Sequence, residues 1–148
     1  MVSILELRDY LVKNNCDFEI LQHDSPIITT QDAAMYFDIE KAVPVFITDT
    51  GQGLIALIVS SRYGRIDFAA LRHILGFPRL KMADKENVKE ATGYKAGSIP
   101  LIGHGLPCVI DEHILTYDYV FGGTGDEFHT LKIAPDDIER LNNIIARI

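Results

Sequence analysis

The sequence contains no run of about 18 apolar residues, so a membrane-spanning helix is not expected. Cysteine is scarce, with only Cys16 and Cys108 in 148 residues. That supply suits reduced thiols in a cytoplasmic protein better than a disulfide framework. No Cys-x-x-Cys occurs, and Gly105 and Pro107 between His104 and Cys108 rule out a shared helical face. The other histidines, His23, His73, His113 and His129, are scattered, so no metal site is expected. A Gly-x-Ser-x-Gly nucleophile elbow is absent, as are repeats, linkers and low-complexity segments. Met1 to Tyr10 lacks a basic start followed by an apolar stretch, so it does not read as a signal peptide. Positive charge is short too: the net charge is −7, which argues against a purely electrostatic nucleic-acid binder. Arg62, Arg65, Arg72, Arg79, Lys81, Lys85 and Lys89 form a loose basic cluster. It reads either as one basic face or as a solvated helix surface.

Hydrophobic residues make up 47% and charged ones 24%, an ordinary globular balance for one domain spanning residues 1–148. Ser3 and Glu6 form a capping-box pattern, and Ile4, Leu7 and Leu11 follow at helical spacing. Phe18 to Leu21 reads as a short strand, and Thr30 as the cap of a short helix. Val43–Thr48 and Leu54–Ser60 are apolar, β-rich runs flanking a Gly-containing turn, which predicts a central hairpin. Asp67 and Asp84 open two further helices, and Gly76 with Pro78 closes the first. Cys108–Asp111, Tyr117–Phe121 and His129–Ile133 read as strands, with Gly122, Gly123 and Gly125 in a tight loop. A final amphipathic helix runs from Pro135 through Ile138, Leu141 and Ile145 to Ile148. The expected fold is α/β, a mixed sheet with flanking helices.

Two glycine-rich stretches carry candidate chemistry. Thr92-Gly93-Tyr94-Lys95-Ala96-Gly97-Ser98-Ile99-Pro100-Leu101-Ile102-Gly103-His104 lets backbone approach a ligand and aim N–H groups at it. Such donors stabilise the oxyanion of ester hydrolysis, though a purely structural loop uses the same residues. Gly122-Gly123-Thr124-Gly125-Asp126 is not a dinucleotide fingerprint, because no long helix follows it. Asp126 either meets a ribose hydroxyl or a substrate amine, or caps the turn. Cys108, inside an apolar strand, reads as a small buried hydrophobe.

The order of these motifs resembles the YbaK/ProX-type aminoacyl-tRNA editing family over nearly the whole chain. The likeness runs from His23-Asp24-Ser25-Pro26 and Thr30-Gln31-Asp32-Ala33-Ala34, through Arg65-Ile66-Asp67-Phe68, to Lys81-Met82-Ala83-Asp84. It is sharpest at Thr92-Gly93-Tyr94 with Gly97-Ser98-Ile99-Pro100, and closes on Val120 to Asp126 and Thr130 to Ile138. The resemblance implies a trans-acting deacylase for a mischarged tRNA, such as Cys- or Ala-tRNA for proline, without metal or organic cofactor. It implies a cleft between the hairpin and the glycine loop that takes the tRNA acceptor 3′ end, with a synthetase as a further partner. Gly97, Ser98 and Asp126 would carry the chemistry. His23, Thr30, Pro44, Ile99, Pro100, Gly103, His104 and Gly123 would border the substrate. Two positions depart from the family pattern. Pro44 stands near where the family carries a lysine facing the substrate, with Arg62 or Lys95 as substitutes, and Leu101 stands where a proline is common. The departure at Pro44 motivates an alternative, a non-catalytic module that binds an aminoacyl group, a nucleotide or a protein.

Overall fold

The computed structural model describes residues 3–148; the side chains of Thr30 and Arg62 lie outside that description. α1 (Ile4–Lys13) begins where the Ser3 hydroxyl accepts the Glu6 N–H, and it turns Leu7 and Leu11 inward. After β1 (Phe18–Gln22), α2 (Thr30–Ala34) is capped one residue earlier than the sequence suggests. Thr29 is the cap, because it and Asp32 satisfy each other's backbone N–H in a reciprocal box. β2 (Val45–Asp49) and β3 (Leu54–Ile58) form the expected antiparallel hairpin. α3 (Phe68–Leu75) starts on the Asp67 carboxylate and ends on left-handed Gly76. β4 (Lys81–Met82) and α4 (Lys85–Thr92) follow, the latter between Asp84 and left-handed Gly93.

Beyond the irregular stretch come β5 (Cys108–Ile110), β6 (Val120–Gly123), β7 (His129–Ile133), α5 (Pro135–Arg140) and β8 (Ile144–Arg147). Two expectations are corrected here. Gly122 and Gly123 belong to β6, paired with Leu131 and Thr130, and only Gly125 sits in the loop. The C-terminal helix is short, and the chain then turns to β8, which adds parallel to β5. Asn142 makes the break by donating its side-chain amide to the carbonyls of Leu101 and Ile138.

The strands form a three-stranded antiparallel sheet, β1-β7-β6, and a five-stranded mixed sheet, β4-β2-β3-β5-β8. A bridge between Ala42 and Phe121, with the Val43 N–H donating to the Phe121 carbonyl at 2.8 Å, ties the two together. β3 is apolar throughout because both its faces are covered. Ile55, Leu57 and Val59 pack under α3 with Leu71, while Ala56 and Ile58 face the core between the sheets with Cys108 and Ile110. The same core receives Leu11 of α1, Val88 of α4 and Ile138 of α5. The tie at Phe121 holds the start of β2 against β6, and a cleft opens beside that junction.

Candidate functional site

The cleft has a volume of about 500 Å³. One wall is the approach to β2, Ala42 to Phe46, with the end of β3 at Val59 to Ser61. The other wall is the glycine loop at Gly97 to Ile99, the end of β6 at Gly122 and Gly123, the turn from Thr124 to Glu127, and the start of β7 at His129 and Thr130. Much of its lining is apolar, including Phe37, Val45, Phe46 and Phe121.

Glycine sets the fit of the loop on β6. The Leu101 N–H donates to the Gly123 carbonyl at 3.0 Å. A Cβ on Gly123 would collide with the Ile99 carbonyl oxygen, and one on Gly122 with the Leu101 side chain. Gly125, at φ +93°, seats against the Tyr94 ring. These contacts fix the loop against the strand, so the cleft has a firm floor. Gly97 differs: a Cβ there meets nothing within 4 Å. The Ser98 N–H is spent on the Lys95 carbonyl at 2.9 Å, whereas the Gly97 N–H meets no acceptor among the described residues.

Asp126 is half-exposed at the cleft wall, and the Phe128 N–H donates to its Oδ1 at 2.8 Å. That bond, with the His129 ring beside it, holds its carboxyl below the ordinary range. The Nδ1 of His129 lies 3.3 Å from the same Oδ1. The pair is within ion-pair range but too bent for a hydrogen bond, so Nδ1 is buried without a hydrogen-bond partner among the described residues. Thr124 stabilises the turn, accepting the Asp126 N–H and lying 3.1 Å from the His129 carbonyl.

Several expected residues stand behind the cleft rather than in it. His23 is buried, stacks on Tyr36, and places Nδ1 2.7 Å from the Ser25 carbonyl. That contact puts the proton on Nδ1 and leaves Nε2, 3.2 Å away, to accept the hydroxyl of cleft-lining Thr130. His23 therefore orients Thr130. Pro100 is buried and Gly103 is exposed, and neither lines the cleft. His104 is buried in the core. Its Nδ1 accepts the Leu106 N–H at 3.0 Å, and its Nε2 faces the Cys108 thiol at 3.3 Å. Burial lowers the His104 pKa and pushes the Cys108 thiol up to about 12, so this pair is a neutral core contact. Gly97, Ser98, Ile99, Gly123, Asp126 and Pro44 do line the cleft. The expected role of the Thr30 side chain falls outside the described residues.

The sequence did not single out Ser60, Thr130 or His129, which also line the cleft. The Ser60 hydroxyl and N–H both donate to the Asp111 carboxylate, at 2.7 and 3.0 Å, deep in the protein. Lys41, close to Pro44 in sequence, is committed elsewhere: its ammonium pairs with Asp118 at 3.0 Å and sits 3.8 Å over the Tyr119 ring. Lys95 pairs loosely with Glu127 at 3.9 Å. Among the described residues no group of three His, Cys, Asp or Glu is placed to hold a metal ion. No helix among them is long and apolar enough to cross a membrane.

Comparison with known proteins places this geometry in a lineage. A hypothetical protein of solved crystal structure superposes with TM-score 0.82 at 21% identity, over 95% of this chain and 96% of that one. A protein provisionally assigned as a trans-editing enzyme for prolyl tRNA synthetase superposes with TM-score 0.79 at 22% identity, over 95% and 91%. The fold also occurs inside a longer chain, a provisionally assigned signal transduction protein of Marinobacter aquaeolei VT8. That match has TM-score 0.66 and 18% identity, and covers 96% of this chain but 29% of that one. These likenesses establish the fold. Residues 24–141 match the family model of the aminoacyl-tRNA editing domain, and the chain belongs to that family.

Proposed function

We propose that this chain is a trans-acting deacylase that hydrolyses the ester between a wrongly attached amino acid and the 3′ end of its tRNA. The observation that carries the reading is the cleft itself, where the unpaired Gly97 N–H and the ionised Asp126 border one apolar-walled hollow. Its volume of about 500 Å³ is in the range of small-molecule sites. The Gly97 N–H is the donor for the oxyanion that forms when water attacks the ester carbonyl. Asp126 holds the amine or ribose of the aminoacyl end, and the apolar wall at Val45 and Phe46 takes a small side chain. Alanyl- and cysteinyl-tRNA for proline are the first substrates to try, and a synthetase is the natural donor of the mischarged tRNA.

The test is deacylation of a panel of radiolabelled mischarged tRNAs by the purified protein beside Gly97→Val. A side chain at Gly97 meets nothing within 4 Å, so the variant adds bulk at the loop that borders the cleft without a packing clash. Turnover by the wild type that Gly97→Val abolishes is the expected result. No turnover across the panel sinks the deacylase reading.

A second reading, a module that binds the aminoacyl end without cleaving it, is favoured by Pro44. It lines the cleft near where the resemblance expects a lysine, and Lys41 is held away by Asp118. Tight binding of the mischarged tRNA with no turnover would select that reading.

A further inference from the structure

We propose that His129, backed by Asp126, is the catalytic residue that moves the proton in this cleft. The inference rests on the deacylase reading above. His129 is the first residue of β7, pairs with Gln22 on β1, and lines the cleft with Asp126. Its Nδ1 is the buried face of the ring, 3.3 Å from Asp126 Oδ1. A carboxylate at that position favours the proton on Nδ1 and frees the lone pair of Nε2. Nε2 has no protein partner among the described residues and is not a buried atom, and the side chain is 21% exposed. It is therefore open to water. The bent Asp126 contact matches a site without substrate, where catalytic hydrogen bonds are often long and tighten on binding.

Most of the other polar side chains of the cleft are already committed, and the Ser98 hydroxyl, free among the described residues, is too weak a base to take a proton from water. Ser60 is held by Asp111, Thr130 by His23, and Thr124 by its own turn. Glu127 faces Lys95. Among the described lining residues, His129 carries the one imidazole. It supplies on β7 the polar group that Pro44 cannot supply on the opposite wall.

In the proposed step, Nε2 takes a proton from water as the water oxygen bonds to the ester carbonyl carbon. The resulting oxyanion accepts the Gly97 N–H. The carbon–oxygen bond to the ribose then breaks, and the proton on Nε2 passes to the departing ribose oxygen. Free amino acid and deacylated tRNA leave, and His129 returns to its neutral form.

The experiment measures steady-state deacylation by wild type, His129→Gln and His129→Ala, with and without added imidazole. General acid–base catalysis typically contributes about 10²–10⁴-fold, so His129→Gln is expected to lower kcat by about 100-fold or more with KM unchanged. Imidazole should restore part of the His129→Ala rate. The thermal midpoint of His129→Gln should stay close to that of wild type, because glutamine keeps most of the buried side-chain volume. His129→Asn serves as a second variant if His129→Gln folds poorly. Wild-type turnover in a folded His129 variant overturns this inference and leaves the deacylase reading standing. So does a raised KM at constant kcat, or a loss that imidazole does not relieve. A wild type inactive on every tRNA overturns both.

Discussion

Two glycines that line the same cleft should differ sharply in their response to alanine. At Gly123 the new Cβ would meet the Ile99 carbonyl oxygen and carbon and the Pro100 Cα, all backbone atoms. Backbone cannot rotate away as a side-chain tip can, so β6 and the glycine loop must part. The Leu101–Gly123 hydrogen bond of 3.0 Å spans that contact and is strained with it. Overpacking costs about 1–3 kcal/mol and a lost hydrogen bond about 1 kcal/mol, so Gly123→Ala should cost about 2–4 kcal/mol. For a chain of 148 residues that lowers the thermal midpoint by roughly 4–16 °C. Gly97 has no neighbour within 4 Å of a Cβ and no positive φ. Gly97→Ala should therefore shift stability by no more than about 0.5 kcal/mol. The assay is urea or thermal unfolding of wild type and both variants, read by circular dichroism. Equal midpoints for the two variants would refute the claim that the loop is pinned to β6 at Gly123.

Three other outcomes are expected. Asp111→Ala strips the acceptor from the Ser60 hydroxyl and the N–H groups of Ser60 and His113, and should cost about 2–4 kcal/mol in urea unfolding; an unchanged midpoint contradicts it. Lys85, Lys89 and Lys95, interleaved with Glu86, Glu90 and Glu127, border a hollow of about 890 Å³ that shares Gly97 and Ser98 with the cleft. Lys85→Ala with Lys89→Ala should raise KM for tRNA and flatten its salt dependence by roughly one to two units of slope, with kcat unchanged. The Cys108 thiol, raised by burial from 9.0 to about 12, keeps its proton in the folded state after the unfolded chain has lost it. Its contribution is whole below the unfolded value of 9.0 and falls as pH rises towards 12. Wild type should thus lose stability above pH 9.0 more steeply than Cys108→Ala, as urea midpoints across pH would reveal.

The elements with strong local signals were legible. Asp67 and Asp84 cap their helices, left-handed glycines end them, and the hairpin follows its two apolar runs. The end of the chain was not, because Ile138, Leu141, Ile145 and Ile148 satisfy a helical period by coincidence. Parallel pairing of Ile144–Arg147 with β5 is a non-local contact that no window reveals, and it overrides that period. The glycine loop announced itself through its composition. His104 did not announce its place, since nothing in the sequence shows that it turns inward onto Cys108. His129 was passed over because Asp126-x-x-His129 lies on a loop and a strand start, where spacing does not predict contact.

The most direct test is a crystal structure with adenosine bearing a small amino acid through a 3′ amide, which cannot be hydrolysed as the ester is. The account predicts the ligand between Pro44–Phe46 and Gly97–Ile99, its carbonyl oxygen accepting the Gly97 N–H and its carbonyl carbon within one water of His129 Nε2. A ligand seated only in the hollow by Lys85 and Lys89, or a carbonyl turned away from Gly97, would contradict it.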